Sequence, residues 1–283
     1  MLEGIKPAPV DGPRLRVLAA VLEGYRFTFR NTGMALKLIL LPALCLTGVH
    51  FALSGFDPPP EDIVAAADEL ALAALGELSA MILLIPVVLV AWQRRILLGS
   101  EHAKMRFGRR EGRMLVALLV LGLMVFLGNM AVMMVAETVA GLAGEVAVGV
   151  TLDVMLVATT LATAYVTGRL YFLLPPRAMD RKLTLGEAWS MSAGYGLKLM
   201  AIVVLAGIPV ALLSQITAGV ATVALENGAV AMLVGANLTG NVLFMVNLVV
   251  EAAALTICYA ALGGIEDVLE VRAAETELVA APA

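Results

Sequence analysis

Arg169-Leu-Tyr-Phe-Leu-Leu-Pro-Pro-Arg-Ala-Met-Asp-Arg-Lys-Leu-Thr-Leu-Gly-Glu-Ala-Trp-Ser-Met-Ser-Ala-Gly-Tyr-Gly-Leu-Lys198 joins two long apolar runs through a cationic segment. The first run is expected to end at Pro175-Pro176, because proline removes a backbone donor and clashes with the preceding turn. Arg177, Arg181 and Lys182 then form a short basic patch. Thr184-x-x-Glu187 has the spacing of a capping box, in which each side chain satisfies an orphan backbone N–H of a new helix. That helix carries Leu185, Ala188 and Trp189 near one face. A cationic joint with an amphipathic segment between two apolar runs suits a polytopic membrane protein meeting a lipid surface. Arg169, Arg177, Arg181, Lys182 and Trp189 are therefore candidate contacts for lipid or a partner.

Composition agrees. The 283 residues are 61% hydrophobic and 15% charged, with a mean hydropathy of +0.94, whereas soluble domains run near ~45–50% apolar and ~25% charged. There is too little polar surface to cover a water-soluble globule of this length. Cys45 and Cys258 both fall inside apolar runs, so free thiols are expected rather than a disulfide. Met1-Leu-Glu-Gly-Ile-Lys-Pro-Ala-Pro9 lacks the charged region followed directly by an apolar run that marks a cleavable signal peptide.

Outward from the joint, the pattern predicts an all-α fold with about six transmembrane helices, at about 34–54, 78–98, 114–136, 152–174, 197–221 and 232–262. Each is long enough for a hydrocarbon core of ~30 Å, and the sixth is long enough to tilt. Pro42, Pro86 and Pro209 fall inside the first, second and fifth. In residues 14–30, Leu15, Leu18, Leu22, Tyr25 and Phe29 recur at helical spacing, with Arg16, Glu23, Arg26 and Arg30 opposite. An in-plane amphipathic helix is expected there, as before the fifth span. Residues 55–60 read as a loop, and the acidic, alanine-rich 61–77 as a short amphipathic helix on the far side, before the second span. Trp92-Gln93-Arg94-Arg95 reads as an aromatic and basic interface anchor. Residues 1–264 form a single integral membrane domain on this reading, and 265–283 a short acidic tail. Gly33–Leu38 echoes Gly194–Leu199, and both internal duplication and chance account for it.

The charges set the orientation. Lys and Arg number 6 up to Lys37, 7 between Arg94 and Arg113, 5 between Arg169 and Lys198 and 1 in the tail, which is all 19. The opposite connections hold acids alone. The positive-inside rule then predicts a multi-pass protein with both termini cytoplasmic, its basic face against anionic headgroups.

Polar groups inside spans are candidates for function because burying them in lipid is costly. Asn237, Asn241, Asn247 and Glu251 fall within about a third of the helix circumference at ~100° per residue. Thr160, Thr163, Thr167 and Tyr171 step by 3, 4 and 4 along the fourth span, and Asn129 sits deep in the third. The two stripes either line a polar pathway with Glu251 as a cation or proton site, or act as a packing seam of interhelical hydrogen bonds. His50 and His102 fall on opposite sides, so no histidine metal cluster is expected. No P-loop, His-Glu-x-x-His or Gly-x-Ser-x-Gly pattern occurs, and the basic 94–113 loop is read as a topology and headgroup element rather than a nucleic-acid site.

Arg169-x-x-x-Leu173-Leu174-Pro175, Ala178-x-Asp180, Leu183-Thr184-Leu185 and Ala188-Trp189-Ser190-x-Ser192 look like a signature of uncharacterised bacterial six-span membrane proteins. These are similar to the membrane domain that precedes some glycerophosphodiester phosphodiesterases. Trp92-Gln93-Arg94-Arg95-Ile96-Leu97-Leu98-Gly99 resembles the alphaproteobacterial branch. The resemblance covers roughly 90–110 and 165–200 and implies a bacterial inner-membrane location. The short tail after Gly264 leaves no phosphodiesterase domain to be expected in this sequence, so no catalytic residue carries over. The expected function is that of a non-enzymatic membrane protein without cofactor or metal. It acts through lipids, protein partners or a second copy, in the cell envelope or as a complex subunit. The alternative is a transporter or channel-like pathway for a small solute or lipid, lined by spans four and six.

Overall fold

The computed structural model describes residues 15–54, 63–99, 104–143, 145–264 and 269. The chain before residue 15, the expected loop at 55–60, His102 and the expected tail 265–283 apart from Leu269 lie outside the described residues. Among the described residues every regular element is helical: α1 (Val17–Arg30), α2 (Thr32–Ser54), α3 (Ile63–Leu97), α4 (Arg109–Ala143), α5 (Glu145–Leu170), α6 (Leu174–Ala178), α7 (Leu185–Met191), α8 (Gly196–Glu226) and α9 (Val230–Tyr259). A 3-10 turn, Tyr171–Leu173, links α5 to α6, and a π-helical turn, Ala260–Gly264, closes α9.

Among the described residues five segments are long and apolar enough to cross a membrane: Thr32–Leu53, Ala71–Leu97, Arg109–Val135, Gly196–Glu226 and Val230–Gly263. The expected crossing at 152–174 falls on α5 and the turn after it, which is not among these five; α5 has 26 residues. It packs between α4 and α8. The chain is an all-α, multi-pass membrane protein. Pro42, Pro86 and Pro209 lie within continuous helices, as membrane helices tolerate when neighbours satisfy the freed carbonyl.

Two local expectations change. Residues 61–77 do not form a separate helix, because α3 runs unbroken from Ile63 to Leu97. The lone Gly76 between the two halves weakens a helix by only about 1 kcal/mol, too little to break one. Pro175-Pro176 does not terminate a helix. α5 ends at Leu170, and the prolines sit in the first turn of α6, where a missing N–H costs nothing because that donor has no intrahelical partner.

The hub is α9, which packs on α1, α2, α3 and α8. Of its apolar window 56% is buried, against 11% for α4. α1 docks through its small residues: Ala20, Val21, Gly24 and Thr28 are buried. A Cβ at Gly24 would stand 3.0 Å from the Ala254 Cβ, so the two backbones meet there as only glycine allows. The expected apolar stripe of α1 is thereby divided. Tyr25 turns inward, its hydroxyl donating to the Ala206 carbonyl at 2.7 Å, while Leu18, Leu22 and Phe29 face outward, 64%, 58% and 68% exposed.

Three basic segments gather at one end of the bundle. Arg95 donates twice to the Asn31 Oδ1, at 3.1 and 2.8 Å. Arg94 donates to the Ala178 carbonyl at 3.0 Å, and Arg110 and Arg113 both pair with Asp180. Trp92, Gln93 and Arg94 are buried in this packing, with the Trp92 Nε1 donating to the Val249 carbonyl at 2.7 Å. The first three residues of the expected interface anchor are therefore core clamps. Aromatic and basic character suits either place, and the docking of α9 decides it.

Candidate functional site

The joint is built by local rules and then locked by one arginine. Thr184 caps α7: its hydroxyl accepts from the Glu187 amide at 3.3 Å, and its own amide donates to the Glu187 Oε2 at 2.7 Å. The backbone hydrogen bond from Thr184, then that from its hydroxyl, holds the Glu187 carboxyl below its usual pKa. Arg169, at the last turn of α5, is 8% exposed. It donates to the Ser192 Oγ at 3.0 Å, to the Trp189 carbonyl at 2.5 Å and to the Tyr165 hydroxyl at 3.3 Å. Its guanidinium lies 3.6 Å from the Trp189 ring centroid. As a candidate lipid contact Arg169 is thus corrected: all three of its side-chain nitrogens donate inside the protein and its guanidinium is buried. Arg177 is also partly buried, 3.5 Å from the Leu183 carbonyl, and Arg181 is partly buried. Lys182 and the outer face of Trp189 are the exposed candidates of this set.

The intramembrane candidates separate into three groups. Asn247 Nδ2 donates to the Glu251 Oε1 at 2.7 Å. The pair faces Gly207 of α8, where a Cβ would lie 3.5 Å from that carboxylate oxygen. Tyr25 stands close enough to feel the Glu251 charge. Burial first, and that charge second, push its hydroxyl above the usual tyrosine value. Asn241 Nδ2 donates instead to Thr47 Oγ1 of α2 and to the Asn237 Oδ1, both at 3.0 Å. On α5, Thr163 donates to the Asn129 Oδ1 of α4 at 2.9 Å, while Thr160 is exposed and Thr167 partly buried.

The expected arrangement of two facing stripes is therefore corrected. α5 turns Thr163 toward α4, and α8 packs against both α5 and α9. Tyr171 of the fourth-span stripe is bonded to α9: its hydroxyl donates to the Ala252 carbonyl at 3.3 Å and accepts from the Gln93 Nε2 at 2.9 Å. Helical spacing tells which side chains share a face, but not which neighbour that face meets.

Two features escaped the sequence reading. Gln93 is fully buried, and its Oε1 has no partner among the described residues. The basic loop was visible as composition, but its shape was not. It walls a cavity of about 760 Å³ between the end of α3 and the start of α4. Arg94, Lys104, Arg106, Arg109, Arg110 and Arg113 line it, against the carboxylates of Glu111 and Asp180. Asp180 occupies Arg110 and Arg113, and the Glu111 Oε2 accepts from the Gly108 amide at 2.9 Å. Lys104, Arg106 and Arg109 have no ion-pair partner among the described residues. No family model matches the chain, and no curated protein or solved structure does.

Proposed function

We propose that this is a non-enzymatic protein of a bacterial inner membrane, with both termini and the basic end in the cytoplasm. It acts there through anionic lipid headgroups or a protein partner. One contrast carries the reading. Inside the bundle Asn241, Thr163 and the Gln93 amide nitrogen make interhelical bonds, to Thr47, Asn129 and Tyr171. Cations at the basic end are in surplus around an open cavity. α1 and α7 supply in-plane surface, with Leu18, Leu22, Phe29 and Trp189 exposed beside Arg26 and Lys182. The likeness to membrane domains that precede phosphodiesterases belongs to the same reading, supported by the Arg169–Ser192 motif. Thermal unfolding in nanodiscs tests it: the midpoint should be higher in phosphatidylglycerol than in phosphatidylcholine, and the gap should shrink with salt. Equal midpoints at low salt would refute it.

A second reading has one observation in its favour. Glu251 faces Gly207 two residues from Pro209, and an ionisable side chain inside a membrane bundle is a cation or solute-site candidate because burying it is costly. Glu251→Gln keeps shape and hydrogen bonding. Under the lipid-contact reading the variant folds and keeps its response to anionic lipid. Loss of a solute flux or of proton uptake in a folded variant would instead favour the pathway.

A further inference from the structure

We infer that the cavity between α3 and α4 binds the headgroup of a phospholipid carrying two phosphates. This rests on the basic end facing lipid, and it goes further by naming a built site and its ligand chemistry. The charge comes first. Six cations line the cavity against two carboxylates. Of these cations, Arg110 and Arg113 already share Asp180. Lys104, Arg106 and Arg109 remain without an ion-pair partner among the described residues, while Arg94 is engaged inside the protein at the Ala178 carbonyl. One singly charged phosphate leaves most of that surplus unmatched, whereas two phosphates held close together match it. Arginine forks favour phosphate geometry in particular.

The lining says where the ligand comes from. Val90 lies one helical turn along α3 from Arg94, ~6 Å deeper into the bundle by helical rise, and it forms part of the wall. Phe107, also in the wall, is 64% exposed. A cationic cavity with an apolar floor suits a headgroup whose glycerol and acyl chains continue into the bilayer. A free phosphate compound has nothing to place against Val90 and Phe107. The volume, about 760 Å³, holds two phosphates and the glycerol between them.

Asp180 sets the affinity. It is the one non-glycine residue with a positive φ, 64°, among the described residues, and it stands in the wall as the acid shared by two arginines, offsetting one positive charge. Asparagine accepts that backbone conformation, so Asp180→Asn releases both arginines without straining the turn.

The test uses the full chain in nanodiscs of phosphatidylcholine doped with cardiolipin or with phosphatidylglycerol, reading retained lipid by native mass spectrometry. Cardiolipin should be retained over phosphatidylglycerol at equal phosphate. Lys104→Gln/Arg106→Gln/Arg109→Gln should weaken retention roughly fivefold per cation, on the order of 100-fold in all. Asp180→Asn removes one negative charge and should strengthen it by about fivefold, a gain that misfolding cannot imitate. A triple variant that retains cardiolipin normally, or an Asp180→Asn variant that loses it, overturns the site. Displacement by inorganic pyrophosphate as readily as by cardiolipin overturns the lipid as its source. If the wild type enriches phosphatidylglycerol over phosphatidylcholine but the triple variant changes nothing, the cavity assignment alone falls. If the wild type enriches no anionic lipid, the reading of the basic end falls with it.

Discussion

Replacing Arg169 by alanine removes the device that straps α7 to the end of α5. Its guanidinium makes two short hydrogen bonds, to the Ser192 Oγ and the Trp189 carbonyl, and stacks on the Trp189 ring. Charge-assisted bonds contribute about 1.5 kcal/mol each and a desolvated stack about 1 kcal/mol, so the substitution costs about 4 kcal/mol. The longer contact to Tyr165 adds little. α7 has 7 residues, too few for a helix to persist alone in water, and a capping box supplies only about 1 kcal/mol. The loss should therefore appear locally, as a fall of about 1,000-fold in amide protection over 185–198. Arg169→Lys keeps a charge but neither the fork nor the stack, and should recover about half. Hydrogen exchange with mass spectrometry in detergent or nanodiscs reads both variants. Unchanged protection over 185–198 in Arg169→Ala would refute the strap, and so would a Lys variant indistinguishable from Ala.

Other outcomes follow from the same geometry. The Glu187 pKa is lower in the folded protein than its ordinary value, so its share of α7 stability is present above the unfolded carboxylate pKa and is lost as pH falls through the folded one. Protection factors over 185–191 should drop with acidification in the wild type and stay level in Glu187→Gln, whose amide oxygen still accepts the capping bond. At the contact of α1 with α9, Gly24→Val should lower stability by about 1–3 kcal/mol through overpacking against Ala254. Gly33→Ala meets nothing within 4 Å and should leave the thermal midpoint in detergent unchanged. Trp92→Phe gives up the hydrogen bond to Val249 and part of a buried side chain, at about 2 kcal/mol; an unaltered midpoint would contradict its placement in the core.

How far the chain was legible varies along it, and the reason is visible at particular residues. The capping box at Thr184 and Glu187 could be read because both partners lie three positions apart and the geometry is wholly local. The helices at 34–54, 114–136 and 197–221 could be read from apolar run length alone. The fate of Arg169 could not. A basic residue at the end of a span looks the same whether it meets phosphate outside or a tryptophan carbonyl inside, and only the fold-back of α7 distinguishes them. Gln93 was passed over because one amide beside two arginines resembles any interfacial residue. The cavity at Lys104–Arg113 was missed because concavity arises between elements, here from α3, α4 and the Asp180 turn coming together.

By itself the sequence determined that the chain is helical and membrane-embedded, and that all 19 of its cations lie in segments that alternate with acidic ones. These properties follow from composition summed along the chain, because bilayer thickness and the cost of an unpaired backbone act on each segment independently. Tertiary structure decided which helix is the hub, which polar face meets which neighbour, and which arginines remain available at the surface. Those are relations between segments far apart in the chain. They turn on close approaches such as Gly24 on Ala254 and Tyr25 on Ala206, where the packing partner is not encoded in the spacing of either segment.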